Sequence, residues 1–130
     1  ISKKTIHSII EDVNISFFYF PYPLLKPLID FDNIKIADLE DILCMKVNAI
    51  IGRGSRKDFI DVYFIMKSLN IKLDDLFRLF QKKFGDYNTL IIKKAIIYFE
   101  DAENEPKFPL LKDVKWEKVK AFFIKKIKET

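Results

Sequence analysis

The sequence has 130 residues, of which 49% are hydrophobic, 15% aromatic and 32% charged, with a formal net charge of +4; this balance excludes a disordered or fibrous chain and fits one globular domain. One cysteine and one histidine exclude an internal disulfide and a structural zinc site, which needs about four such ligands. The longest uncharged run, residues 13–25, falls short of the ~20 residues a membrane-spanning helix needs and is broken by Pro21 and Pro23, so a cytoplasmic chain without membrane contact is expected.

From Thr5 to Phe20 the chain is rich in β-branched and aromatic residues, which predicts two strands, Lys4 to Ile10 and Val13 to Phe20, joined by a turn at Glu11 and Asp12. The second strand is apolar on both faces towards its end, as in a strand covered on both sides. Two strands make a poor sheet alone, so the surface from Phe17 to Phe20 calls for a neighbour: a homo-oligomer or a missing N-terminal half. Pro21, Pro23 and Pro27 impose an irregular crossing, and Asn33 to Ala37 fits one more short strand. After Asp38 the pattern is helical. Asp38 suits the cap of a helix running to about Ile51, with Asp41 in the capping-box position and Gly52 and Gly54 as its end. Ser55 suits the cap of a second helix, Arg56 to Leu69.

Leu73, Leu76, Phe77, Phe80 and Phe84 share one face of a third helix, closed by Gly85. A fourth is expected over Tyr87 to Phe99, then a loop from Asp101 to Asp113, then a last helix from about Val114 to Lys128 with Trp116, Val119, Phe123 and Ile127 on one face. The expected fold is α+β: two or three N-terminal strands (residues 4–37) followed by a bundle of about five helices (residues 38–130), all in one domain. Lysines crowd the last stretch. A polyanion partner fits them, but a solvated helix face whose lysines complement the macrodipole is the simpler account.

Several charges break the apolar faces. On the first helix Leu39, Ile42, Leu43 and Ile50 define a stripe at ~100° per residue, and Lys46 projects from its middle, where an unpaired ammonium is costly. Arg53 emerges on the same side. On the second helix Asp58 lies between Val62, Ile65 and Leu69, with Asp61 at the edge of that face. Asp58 has a structural account as the third residue of a capping box with Ser55; Asp61 has less of one. Lys46, Arg53, Arg56, Lys57, Asp58 and Asp61 thus converge where two helices meet, as a polar ligand site or as a structural ion network. His7 lacks a nucleophile partner and reads as an ordinary strand residue, Cys44 as a small buried hydrophobe, and Trp116 as a core anchor.

The run Asp41-Ile42-Leu43-Cys44-Met45-Lys46-Val47-Asn48-Ala49-Ile50, followed by Arg53-Gly54-Ser55-Arg56-Lys57-Asp58-Phe59-Ile60-Asp61-Val62-Tyr63, resembles the signature of AbiEii/AbiGii nucleotidyltransferase toxins in order and spacing. The likeness continues through Tyr98 to Glu103, Pro106, Pro109 and Trp116. It implies the polymerase β-like nucleotidyltransferase superfamily, in which a Gly-Ser motif holds the triphosphate and an Asp-x-Asp or Asp-x-Glu pair holds Mg²⁺. Glycine occurs only at 52, 54 and 85, none followed by a fitting strand-borne acid pair, so the resemblance implies the C-terminal portion only, with Mg²⁺ a cofactor of the intact enzyme and none expected for this chain alone. It assigns phosphate contact to Lys46, support of the active centre to Asp58 and Asp61, and nucleotide binding also to Arg53 and Lys57. The implied partners are an NTP, an RNA acceptor such as tRNA and a cognate antitoxin. A truncated helical module that binds nucleotide or protein without turnover remains the alternative.

Overall fold

The computed structural model describes residues 5–18, 20–106 and 114–129. Two antiparallel hairpins come first: β1 (Thr5–Ile10) with β2 (Val13–Phe18), and β3 (Ile29–Phe31) with β4 (Ile34–Ile36). Each turns through two residues at positive φ, Glu11 and Asp12 in one, Asp32 and Asn33 in the other, the conformation of tight two-residue hairpin turns that Asn and Asp tolerate. The single strand expected over residues 33–37 is therefore half of a hairpin. Its partner, Ile29–Phe31, lies in the proline-rich crossing, and Asp32-Asn33 was the signal for the turn. Among the described residues β1 and β2 form a sheet of their own, not part of a larger one.

The second hairpin is amphipathic and open. Ile29 faces Ile36 and Phe31 faces Ile34 on one side, and all four are exposed; Asp30 and Lys35 form an ion pair on the other side. Ile6, Ile9, Ile10 and Val13 of the first hairpin are exposed as well. The expected apolar surface at Phe17 to Phe20 falls mostly on side chains outside those described; Phe20 itself meets Tyr22 and Phe84.

Among the described residues six helices follow: α1 (Leu39–Arg53), α2 (Arg56–Leu69), α3 (Leu73–Phe84), α4 (Thr89–Ala95), α5 (Glu100–Glu103) and α6 (Trp116–Lys128). This is the expected α+β order, with adjustments. α1 continues through Gly52 to Arg53 and ends at Gly54. α4 is shorter than the expected Tyr87–Phe99: Asn88 caps it by accepting from the Leu90 N–H, and the β-branched and aromatic run Ile96-Ile97-Tyr98-Phe99 leaves the helix. α5 occupies the start of the expected loop, whose residues 107–113 lie outside those described.

The core is helical. Leu43, Val47, Phe59, Val62, Leu76, Phe80, Ile92, Val119 and Phe123 are buried at its centre, and Phe59 meets the rings of Phe99, Trp116 and Phe123. Cys44 is fully buried among them, and burial pushes its thiol up to about 12, so it is inert as a nucleophile.

Two charges are sealed inside. The Asp41 and Lys83 side chains are 0% and 1% exposed, 2.6 Å apart. Asp41 does not close a box with Asp38, whose carboxylate accepts from the Glu40 N–H; it accepts instead from the Leu25 and Lys26 N–H groups at 2.8 and 3.1 Å, and Lys83 also donates to the Pro23 carbonyl at 2.8 Å. α1, α3 and the proline-rich crossing are thus tied at one point. Burial alone would raise the Asp41 pKa, but the hydrogen bond from Lys83, the two backbone N–H donors and the Lys83 charge outweigh it and hold the group below its ordinary 3.8. Such a group adds stability above pH 3.8 that is lost as pH falls through its lowered value. Asp41→Asn leaves Lys83 buried without its counter-charge and should cost ~3–5 kcal/mol, with a smaller loss of stability on acidification than the parent shows; denaturant melts at neutral and acid pH measure both.

Candidate functional site

α1 and α2 pack as a hairpin across the short Gly54-Ser55 link. Ser55 Oγ accepts from the Asp58 N–H at 3.1 Å and starts α2. Gly54 is required for space: a Cβ there would stand 2.7 Å from Phe59 Cε2 and 3.2 Å from Cζ. The ring that anchors α2 in the core thus passes directly under the link.

Across this hairpin Lys46 reaches both aspartates, with Nζ 3.3 Å from Asp58 Oδ1 and 3.0 Å from Asp61 Oδ2. The three side chains are 30%, 17% and 36% exposed, so the cluster borders solvent instead of being sealed. The buried face of α1 is Leu43, Cys44, Val47 and Ile50, and Leu39 is exposed. That face is rotated from the stripe read off the sequence, so Lys46 stands at its edge, not in its middle. The Asp58 carboxylate goes to Lys46 instead of completing the Ser55 capping box. Partial burial disfavours the Lys46 ammonium, but the hydrogen bond and charge of Asp61, with those of Asp58, outweigh it and raise its pKa above 10.5. At physiological pH Lys46 is a fixed cation and not a proton acceptor.

The other expected site residues separate from this cluster. Arg53, exposed at the end of α1, borders a cleft of about 380 Å³ with Gly54, Ser55, Asp101, Asn104 and Glu105. Lys57 is exposed on the first turn of α2. The Arg56 guanidinium lies over the Trp116 ring at 5.1 Å, and the Arg56 backbone N–H donates to Glu105 Oε1 at 2.6 Å, which pins the segment just after α5 to the start of α2. The acidic and amide lining that α5 brings opposite Arg53 was not visible in the sequence, since contact between positions about 50 apart leaves no periodic trace. Trp116 packs on Phe59 and Phe99, as a core anchor does, and His7 is exposed on β1.

A divalent metal has no evident seat here. Among the described residues no three His, Cys, Asp or Glu side chains cluster, and the two carboxylates of the hairpin both face Lys46. Among the described residues, too, no helix is long and apolar enough to cross a membrane.

The family described as "Nucleotidyl transferase AbiEii toxin, Type IV TA system" matches residues 12–128. An uncharacterized protein of Aquifex aeolicus (strain VF5) is 41% identical over 132 residues, covering 98% of this chain and 62% of that protein. The chain thus spans less than two thirds of that relative's length. No solved structure matches it.

Because the Lys46 cluster is partly solvated, Lys46→Ala should cost under ~1 kcal/mol, the range of exposed pairs, and barely move the thermal midpoint. A loss several times larger would mark the cluster as a structural network. Gly54→Ala, by contrast, should cost ~1–3 kcal/mol through overpacking against Phe59, read in the same melts.

Proposed function

The chain belongs to the AbiEii nucleotidyl transferase toxin family, and on that premise we propose that the intact protein transfers a nucleotide from an NTP to an acceptor such as tRNA, restrained by a cognate antitoxin. The observation that carries this reading is Lys46, a permanent cation fixed between two carboxylates at a solvent-facing helical hairpin.

Nucleotidyl transfer asks little covalent chemistry of the protein. An acceptor hydroxyl attacks the α-phosphorus, its bond to the pyrophosphate leaving group breaks, and the hydroxyl proton is lost. What the site supplies is fixed positive charge and orientation. Lys46 provides the charge against phosphate. Asp58, the less exposed carboxylate, holds the ammonium in place, and Asp61 accepts a hydrogen bond from the attacking hydroxyl. Arg53 and Lys57 add positive charge on the flanks, Arg53 from its own cleft.

A divalent ion, when bound, neutralises charge on a transferring phosphate. The described residues do not fit one, and no Gly-Ser in the sequence is followed by a strand-borne acid pair: Gly54-Ser55 leads into α2, and Asp30-Phe31-Asp32 at the end of β3 precedes it. We assign metal binding to parts of the intact protein outside this chain, which makes this chain the C-terminal portion of the enzyme.

The isolated chain should therefore show no transfer activity, which a labelling assay with radioactive NTP and RNA measures; Mg-dependent, EDTA-sensitive labelling would overturn the assignment. In the intact protein, Lys46→Ala, Asp58→Ala and Asp61→Ala should each abolish growth arrest while the melting temperature of Lys46→Ala stays near the parent's. If that variant stays toxic, Lys46 has no role in the reaction and the helical-module reading takes precedence.

A further inference from the structure

Much of the excess positive charge of this protein lies at one end. Residues 114–129 carry six lysines and two glutamates, an excess of +4 that equals the formal net charge of the whole chain. On α6, Val119 and Phe123 are buried and Trp116 and Ile127 packed on the core, while Lys115, Lys118, Lys125 and Lys128 are exposed. At ~100° per residue Lys118 and Lys125 fall within ~20° of each other, directly opposite the buried face, with Lys115 and Lys128 continuing the line.

Helix stability explains only half of this stripe. Lys125 and Lys128 lie in the last turn, where the macrodipole favours cations. Lys115 and Lys118 stand at the first turn, where the same dipole disfavours them, and Lys115 makes no side-chain cap. Lys115 with Lys118, and Lys125 with Lys128, are like charges three residues apart, a destabilising spacing. Of the acids nearby, Glu117 and Glu103 both pair with Lys120, and Glu129, which shares the stripe at the helix end, forms no ion pair with its lysines among the described residues. Among the described residues none of the four stripe lysines forms an ion pair.

We propose that the exposed face of α6 is a docking surface for a nucleic-acid backbone, its lysines set against successive phosphates. Lysine is a point charge suited to phosphate tracking. The charge distribution carries this surface independently of Lys46; only the identification of the bound strand as the acceptor RNA rests on the reading given under Proposed function. An anionic membrane is disfavoured because an interfacial helix needs its apolar face free to insert, and here that face is the core.

The test measures binding of the full chain to a labelled single-stranded RNA by fluorescence anisotropy across a salt series. Lys118→Gln/Lys125→Gln/Lys128→Gln should weaken binding at least ~10-fold and flatten the slope of log affinity against log salt by about 2, since each lost phosphate contact on a single strand removes ~0.7. The corresponding triple Arg variant should retain binding. A DNA strand of equal length separates backbone recognition from a preference for RNA: equal binding means the backbone alone, tighter RNA binding adds the 2′-hydroxyl, and both agree with the surface. Unchanged binding by the folded triple Gln variant overturns the proposal, as does equal or tighter binding to phosphatidylserine vesicles or polyglutamate. The triple Gln variant, which keeps Lys46, reads the surface by binding alone, while labelling by the intact protein with Lys46→Ala reads the transfer site, so that the failure of one reading leaves the other standing.

Discussion

One buried ion pair sets the frame. Asp41 and Lys83 meet with essentially no solvent around either, and their remaining hydrogen-bonding capacity goes to backbone groups of Pro23, Leu25 and Lys26. A sealed pair of this kind is a weak source of net stability, because desolvation of both ions offsets most of their attraction. What it fixes is place. The crossing between residues 21 and 28 has no regular backbone partners of its own, and its N–H and carbonyl groups need acceptors and donors. The pair supplies them from α1 and α3 at once. The start of α1 is thereby fixed relative to α3, and Lys46 is carried one and a half turns further along the same helix.

This pair was also the part least legible in the sequence. Asp41 had a ready local explanation as a first-turn acid and Lys83 as a last-turn base, and each explanation sufficed alone. The clue was angular: Lys83 projects beside Leu76 on the buried side of α3. The helices of the strong periodic segments, α2 and α3, were readable to the residue, because caps and apolar spacing agreed. The β3–β4 hairpin was not, since three-residue strands are too short to show alternation, and only the Asp32-Asn33 turn betrayed it. At the site, the convergence of Lys46 with Asp58 and Asp61 followed from interrupted apolar faces, whereas Asp101, Asn104 and Glu105 reach Arg53 through tertiary packing that no local pattern encodes.

The hairpins and the helices divide the hydrophobic residues differently. In the helical part large apolar side chains converge on Phe59, Phe80 and Phe123, all fully buried. In the strands they are laid out with correct cross-strand pairing, Ile29 against Ile36 and Phe31 against Ile34, yet remain open to water. Pairing of this kind adds ~0.2–1 kcal/mol per pair, enough to fix register but far less than burial of four such side chains would give. The register of β3 and β4 is therefore set by turn chemistry and neighbouring side chains.

The two lysine–aspartate clusters on α1 show how surroundings divide one chemistry into two roles. Lys83 has a single carboxylate and a backbone carbonyl and is shut off from solvent. Removing either partner strands a charge in a medium that cannot solvate it. Lys46 has two carboxylates and an open side. Water can take over from either aspartate, so the ammonium can exchange one anionic partner for another at modest cost. A phosphate oxygen is such a partner, and the excess carboxylate at the hairpin means that Lys46 is held in position before any ligand arrives. The same excess leaves one acid unneutralised when Lys46 turns to phosphate. In the transfer we propose, that released acceptor would lie beside the bound phosphate, and Asp61, the more exposed of the two, would offer the attacking hydroxyl its hydrogen bond.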